Sequence, residues 1–410
     1  MITDNIIQTK GSRRAYLVFS VACLFVIFKY VLEISPSVMV HDLMRTFKLD
    51  GFYMGHLAAF YFYAYFLMQI PVGLLIDKFS PRYLVTGAIL VCSLGAFIFS
   101  TAANFIDGFY IAAIGRVIIG IGAAFSMVGT MKLITLWFEK RQFAFISSLM
   151  MTTAMLGAIC GEAPLAALVG AVNWQNAMFI LSATGVVLAL IFWLFVKDIT
   201  QKGNLVEVVA QKKTSVFKLL GEVMRNKQSW YISIYSGLAF APVTAFAGLW
   251  GSPFLIEAYS LSKTSVATLI SLIFVGFAIG APFAGFLASR FVSRKKIMFT
   301  GTSCALISLV LIIYMPNLSF IVLALLMLTF GICTGFFFVS FACMQAIHNL
   351  RASGTAIGFI NMFNALCGAL CDPLIGHILD SGWGHKMVNG VRVFSVHDYK
   401  IALISLPVGL

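Results

Sequence analysis

Charged side chains are scarce in this sequence of 410 residues, and acidic side chains are the scarcest of them. Asp, Glu, Lys and Arg together make up 10% of the chain, whereas hydrophobic residues make up 60% and the mean hydropathy is +0.97. Soluble domains carry about 25% charged residues, so this chain cannot build a water-facing surface around a core. The composition therefore excludes a soluble enzyme and indicates a membrane protein.

Several chemical motifs are also missing. The eight cysteines form no Cys-x-x-Cys or Cys/His pattern, so we expect neither a metal site nor a disulfide framework. The chain lacks the phosphate-binding pattern Gly-x-x-x-x-Gly-Lys-Ser/Thr, which argues against transport driven by a nucleotide. No His-rich or Ser/His/Asp arrangement occurs at catalytic spacing. We therefore expect no cofactor and no enzymatic activity.

Long apolar runs occupy most of the chain instead. A helix that crosses a bilayer needs roughly 20 mostly apolar residues. A twelfth run begins near His397 and stops at Leu410, so we expect the last helix to be truncated. The runs are continuously apolar and do not alternate with a period of two, which favours helices over a β-barrel. The eleven complete runs lie near residues 15–40, 54–76, 84–103, 109–136, 143–169, 177–196, 230–255, 265–289, 297–315, 318–346 and 355–379.

The basic residues between these runs are distributed unequally. If the N-terminus is cytoplasmic, the inner segments carry nineteen of the 28 Lys and Arg residues and the outer segments carry six. Cytoplasmic loops of membrane proteins are enriched in Lys and Arg, so the sequence predicts this orientation. The asymmetry also accounts for the net charge of +13 without a nucleic-acid partner. The six outer residues are Arg45, Lys48, Lys263, Lys386, Arg392 and Lys400.

The chain divides into two similar halves. A polar, lysine-rich segment at 197–229 separates a first bundle at 1–196 from a second bundle at 230–410. The segment Gly73–Arg82 aligns with Gly285–Arg294, with glycine, leucine, a cation, phenylalanine and arginine in register. Parallel repeats of six helices are typical of transporters that expose a central site to each side of the membrane in turn.

The segment Gly73–Arg82 also resembles the loop signature of the major facilitator superfamily, roughly Gly-x-Leu-x-Asp-Arg-x-Gly-Arg-Arg. Ser80 and Pro81 replace the second glycine of that signature. Arg116-Val-Ile-Ile-Gly-Ile-Gly122 is similar to the family motif Arg-x-x-x-Gly-x-Gly. The resemblance implies twelve helices in two six-helix bundles and a transport function. The residues it assigns to gating are Gly73, Asp77, Lys78 and Arg82, with Gly285, Arg290 and Arg294 as counterparts in the second half.

Asp77 is the expected centre of the inner gate, because its contacts with the other bundle can form in one state and part in the other. The alternative is that the cations of this loop only orient the protein.

The stretches Ser35-Pro-Ser-Val-Met and Ala163-Pro-Leu resemble a narrower group, the phagosomal nutrient transporters of intracellular bacteria, which take up amino acids or nucleosides. That resemblance implies a bacterial inner membrane.

Charged residues inside the apolar runs are the strongest indication of a site, because each costs about 2.5–3.5 kcal/mol to insert. Lys29 and Glu33 are four residues apart and so share a helix face. The alternative is an ion pair that only offsets its own insertion cost, or, for Glu162 and Asp372, carboxylates that reach interfacial water. The predicted substrate and proton site comprises Lys29, Tyr30, Glu33, Arg116, Glu162 and Asp372.

Aromatic and amide side chains at helical spacing predict the walls of a small-ligand cavity. Tyr61, Tyr65 and Gln69 share one face of the second run, and Asn361 and Asn364 lie in the eleventh. Simple helix packing is the alternative interpretation for each of them.

These patterns together predict a monomeric, proton-coupled secondary transporter that lies in the lipid bilayer. It would import a small polar nutrient, an amino acid or similar zwitterion. A buried carboxylate can bind a proton from one side, and its ionisation then changes its attraction to Arg116. Glu33 and Glu162 are the predicted proton carriers. Two alternatives remain open: a proton-antiporting exporter of amphipathic compounds, and a membrane receptor that binds without transport.

Overall fold

The computed structural model describes residues 13–197, 216–290, 293–349, 352–388 and 391–410, and these are almost entirely helical. The first half contains α1 (Arg13–Ile34), α2 (Pro36–Phe47), α3 (Gly51–Lys78), α4 (Pro81–Thr101), a 3-10 turn (Ala102–Asn104), α5 (Gly108–Trp137), α6 (Lys140–Cys160) and α7 (Ala163–Phe195). The second half contains α8 (Val216–Arg225), α9 (Lys227–Pro242), a π-helical segment (Val243–Trp250), α10 (Gly251–Tyr259), α11 (Lys263–Arg290), α12 (Arg294–Tyr314), α13 (Phe320–Thr334), a 3-10 turn (Gly335–Phe338), α14 (Val339–Ala346), α15 (Ser353–Gly382), the antiparallel pair β1 (Met387–Val388) and β2 (Val391–Arg392), α16 (Val396–Ala402) and α17 (Ser405–Gly409).

Nine helical stretches within the described ranges are long and apolar enough to cross a membrane. One of them, Phe145–Phe195, has 51 residues. At 1.5 Å per residue it would be about 75 Å long, more than twice the bilayer core of about 30 Å. It comprises most of α6 and all of α7, which are separated by a turn at Gly161 and Glu162, and α7 is itself interrupted at Asn173, whose φ of 68° and ψ of 168° are non-helical. The Asn173 side chain then accepts a hydrogen bond from the Asn176 N–H at 2.9 Å, as the cap of a new helix does.

Proline residues produce the irregularities that matter most for the site. Pro36 separates α1 from α2, and because proline has no N–H it leaves the Leu32 carbonyl, four residues earlier, without its helical donor. The Ser35 hydroxyl donates to that carbonyl at 2.9 Å. Pro373 lies within α15 and leaves the Ala369 carbonyl in the same position. Both carbonyls are thus available to side chains of other helices.

The two halves meet closely at one end of α3 and α15, which we call the closed end. A Cβ atom placed on Gly51 would lie 2.7 Å from the Gly376 carbonyl oxygen, and one on Gly55 would lie 2.7 Å from Pro373 Cα. Only glycine allows two helix backbones to approach this closely. At the opposite end of α3, a Cβ on Gly73 would meet nothing within 4 Å.

The residues after α15 form short elements. The apolar run expected to begin near His397 forms α16 and α17. The domain boundaries at 196 and 230 stay predictions, because residues 198–215 of the predicted linker at 197–229 lie outside the described residues, whereas its last part forms α8 and the start of α9.

Candidate functional site

A small cavity of about 30 Å³ lies between the two halves. Each half contributes helices to its wall. The lining residues are Tyr30, Glu33, Ile34, Ala58, Phe62, Arg116 and Met155 from the first half, and Phe240, Val243, Thr244, Gly248, Phe274, Phe277 and Asp372 from the second. Four of the six residues predicted for the substrate and proton site therefore lie on one cavity.

Glu33 is held by two partners in the first half. The Lys29 ammonium forms an ion pair with Glu33 Oε2 one helical turn away, and both side chains are nearly buried. The Tyr61 hydroxyl donates a hydrogen bond to the same oxygen at 2.7 Å. The Lys29 ammonium also lies 3.7 Å from the centroid of the Tyr30 ring, within cation–π range. The carboxylate therefore has a fixed position at the cavity wall.

Arg116 is held by backbone carbonyls. Its Nη1 donates to the Leu32 carbonyl at 2.8 Å, the group that Pro36 leaves free. Its Nη2 donates to the Ala58 carbonyl at 3.2 Å and to the Glu33 backbone carbonyl at 3.4 Å. These hydrogen bonds do not include the Glu33 carboxylate, with which Arg116 interacts electrostatically. The sequence does indicate the carbonyl that Arg116 binds, because the Ser-Pro pair in the first span leaves one backbone carbonyl without its helical donor.

Asp372 faces the cavity from the second half with an incomplete set of hydrogen bonds. The residue is 1% exposed, and its Oδ1 atom has no hydrogen-bond partner among the described residues. Its carboxylate interacts electrostatically with Arg116 across the cavity. The Trp250 indole donates to the Asp372 backbone carbonyl at 3.1 Å, which fixes the backbone of Asp372 and does not engage its carboxylate.

Glu162 lies apart from this cavity. It is fully buried at the turn between α6 and α7, where the Ser37 hydroxyl is a polar neighbour of its carboxylate. It is not one of the residues that line the cavity. The structure therefore separates Glu162 from Glu33 and Arg116, with which the sequence grouped it.

The five side chains predicted to line the cavity lie outside its wall. Tyr61 is fully buried and stacks on Tyr65 with ring centroids 6.0 Å apart. Asn364 accepts a hydrogen bond from the Ser236 hydroxyl at 2.8 Å, which is a packing contact within the second half. Gln69 and Asn361 are partly buried. Tyr61 contacts two residues of the cavity wall, because its hydroxyl binds Glu33 and the Arg116 guanidinium lies 5.0 Å from its ring centroid.

Sequence reasoning missed the aromatic wall of the second half. Phe240 and Phe277 line the cavity, and behind them Phe337 stacks on Phe240 with ring centroids 5.1 Å apart. Thr244 and Gly248 reach the cavity from the π-helical segment. Such segments often occur at functional sites, but hydrophobic periodicity does not reveal them.

The predicted gating residues are only partly described. The side chains of Asp77 and Lys78 lie outside the described part of the chain. Arg82 packs on the Trp193 ring at 4.1 Å and donates to the Trp193 carbonyl at 2.7 and 3.2 Å. In the second half Arg294 donates to the Ala342 carbonyl at 3.2 Å, and Arg290 lies 5.2 Å from the Phe286 ring. A Cβ on Gly285, like one on Gly73, would meet nothing within 4 Å.

Comparisons with known proteins agree with this architecture. A sequence model of the Major Facilitator Superfamily matches residues 17–371. The chain is 21% identical to the probable galactarate/D-glucarate transporter GarP of Escherichia coli strain K12, over 92% of this chain and 91% of that protein. It is 23% identical to the lysosomal dipeptide transporter MFSD1 of Pongo abelii, over 95% of this chain and 84% of that protein.

Solved structures show the same fold. A bacterial homologue of the human lysosomal transporter Spinster, in an inward-facing and unoccupied conformation, superposes with a TM-score of 0.79 at 16% identity, over 98% of this chain and 95% of that one. The nucleoside transporter NupG superposes with a TM-score of 0.71 at 16% identity, over 96% of both chains. At such low identity the likeness concerns the all-helical membrane fold.

Proposed function

The chain belongs to the Major Facilitator Superfamily, and on that premise we propose that it imports a small zwitterion, such as an amino acid, together with protons. Membership makes it a multi-pass membrane transporter for a small molecule. The distribution of Lys and Arg supports a cytoplasmic N-terminus in a bacterial inner membrane. The substrate class and the coupling ion follow from the chemistry of the cavity.

One observation carries the choice of substrate: two buried groups of opposite charge face one cavity with unsatisfied atoms. Arg116 Nε and Asp372 Oδ1 both lack a hydrogen-bond partner among the described residues. A buried polar atom left without a partner costs about 1–3 kcal/mol, and a ligand that supplies the partner recovers it. A zwitterion brings a carboxylate for Arg116 and an ammonium group for Asp372. The apolar wall around Phe240 and Phe277 suits the remainder of such a solute.

Proton coupling requires a carboxylate whose partners change when it is protonated. Glu33 lines the cavity and fits this role, because protonation would remove its charge and release the Lys29 ammonium one helical turn away. Glu162 is the second candidate, because it is a fully buried carboxylate and forms no ion pair with a described residue. Intramembrane carboxylates of this kind are common in proton-coupled transporters.

The experiment that tests this proposal is uptake of labelled amino acids into proteoliposomes under an imposed pH gradient. Glu33→Gln mimics the protonated state, so we expect it to keep solute counterflow and to lose accumulation driven by the pH gradient. Glu257→Gln, an exposed carboxylate in α10, is the matched control and should accumulate normally. Accumulation by Glu33→Gln would assign coupling to Glu162 or Asp372. Binding without accumulation by the unmodified protein would instead support a receptor.

A second candidate substrate is a sugar acid, which the name of the relative GarP favours. A dicarboxylate would place one carboxylate at Arg116 and a second near Asp372, where the two negative charges repel unless Asp372 is protonated. Asp372→Asn distinguishes the two substrates. It should abolish uptake of a zwitterion but preserve or increase uptake of galactarate.

A further inference from the structure

The N-terminus of α3 is capped by two carboxylates from different halves of the protein. Asp50 is the local cap and accepts a hydrogen bond from the Tyr53 N–H at 2.8 Å. Asp380, at the end of α15, accepts from the Gly51 N–H at 2.9 Å and from the Phe52 N–H at 2.7 Å. The first four N–H groups of a helix have no acceptor within the helix. They form the positive end of the helix dipole, which attracts an anion. The second half therefore supplies most of the cap of a first-half helix.

A cation holds the two carboxylates together. Arg392, on β2, places Nη1 at 3.1 Å from Asp380 Oδ1 and at 3.9 Å from Asp50 Oδ2. Its guanidinium packs 4.4 Å from the centroid of the Trp383 ring. Without Arg392 the two carboxylates would repel each other at the helix end. The β1–β2 pair thus positions the charge that allows Asp380 to bind α3.

This arrangement forms only where the two backbones are in contact. The Asp380 hydrogen bonds begin at Gly51, the same residue that packs against Gly376. Separating the halves at this end would part Gly51 from Gly376 and leave the Gly51 and Phe52 N–H groups without their acceptor. We propose that Asp380 is a detachable helix cap that latches the closed end of the cavity and sets how often that end opens.

A second ion pair between the halves provides an internal comparison. Lys263 lies 2.9 Å from Asp42, and these two side chains are 51% and 26% exposed, whereas those of Arg392 and Asp380 are 31% and 14% exposed. Exposed ion pairs contribute little, because water and salt screen them. Hydrogen bonds to a charged group in a sheltered position are much stronger. The latch should therefore depend on Asp380 far more than on Asp42.

The test measures the distance between spin labels across the closed end, which requires neither a substrate nor a known orientation. Labels on cysteines introduced at Tyr53 and Ser381 report this distance by double electron–electron resonance, with the exposed Cys160 and Cys304 replaced by serine. We expect Asp380→Ala to raise the ratio of open to closed molecules at least about tenfold, the equivalent of one charge-assisted hydrogen bond. The control Asp42→Asn should raise it less than about threefold.

Two further variants test the latch even if Asp380→Ala does not fold. Asp380→Asn keeps one acceptor and loses the charge, so it should raise the ratio by an intermediate factor. Gly376→Ala leaves Asp380 intact but places a Cβ against the Gly51 backbone, so it should also favour the open molecules. An unchanged distance distribution in folded Asp380→Asn or Asp380→Ala overturns the latch, as does an equal shift in Asp42→Asn. Because no solute is present, these outcomes are independent of the proposed substrate and of proton coupling.

Discussion

The two halves of this protein contribute different chemistry to one cavity. The first half supplies Glu33 and Arg116, and each is held by hydrogen bonds to neighbouring groups. The second half supplies an aromatic wall and one carboxylate, Asp372, with a free oxygen. A rigid charged site opposite a largely apolar surface can orient a solute by its charged group. The second half then adjusts to the remainder of the solute.

The most damaging change should be Arg116→Ala in the first half. It removes the cation of the cavity and leaves the Leu32 carbonyl without its guanidinium donor. We expect uptake and counterflow both to fall at least about 100-fold, because several hydrogen bonds to a charged group are lost together. Solute flux in proteoliposomes measures this. Arg116→Lys keeps the charge without the planar fork and should restore only part of the activity. Full activity in Arg116→Ala would show that the first half does not bind the solute through this cation.

The gating loops provide the next comparison, because Asp77 in the first half corresponds to Ser289 in the second. Asp77→Asn removes the acid and should slow transport about tenfold while the protein stays folded in the membrane, since the gate contact predicted for this carboxylate would lose its charge. Initial uptake rates at saturating solute, with the amount of folded protein measured beside them, check this. Ser289→Ala is the matched control and should change the rate little. Equal rates in both variants would reduce the loop signature to a topology signal.

The smallest effect should come from the aromatic wall of the second half. Phe277→Leu keeps the wall apolar but removes ring contacts with Phe240 and Phe337. We expect the apparent KM to rise about threefold with little change in the maximal rate, because a conservative apolar change alters contact area by a small amount. Concentration-dependent uptake separates the two parameters. A loss comparable to that in Arg116→Ala would show that the halves are not divided in this way.

Much of the site could be anticipated from single residues. Charged side chains in otherwise apolar runs are expensive, so Glu33, Arg116 and Asp372 stood out without any structure, and the cavity brings them together. The sequence also indicates Tyr61, but as a wall of the cavity, whereas Tyr61 is buried and binds the Glu33 carboxylate. Helical spacing gives the face of a residue along its own helix. It does not give the rotation of that helix against its neighbours.

Sequence alone determined that this chain forms membrane-spanning helices in two related halves, because a backbone in lipid must satisfy its own hydrogen bonds and apolar length sets the spans. Only the tertiary structure decided which polar atoms meet. Arg116 finds a carbonyl on α1 that Pro36 leaves free, and Asp380 reaches N–H groups 329 and 328 positions earlier in the chain. Such pairings depend on how separate helices pack. Local propensity carries no information about contacts between them.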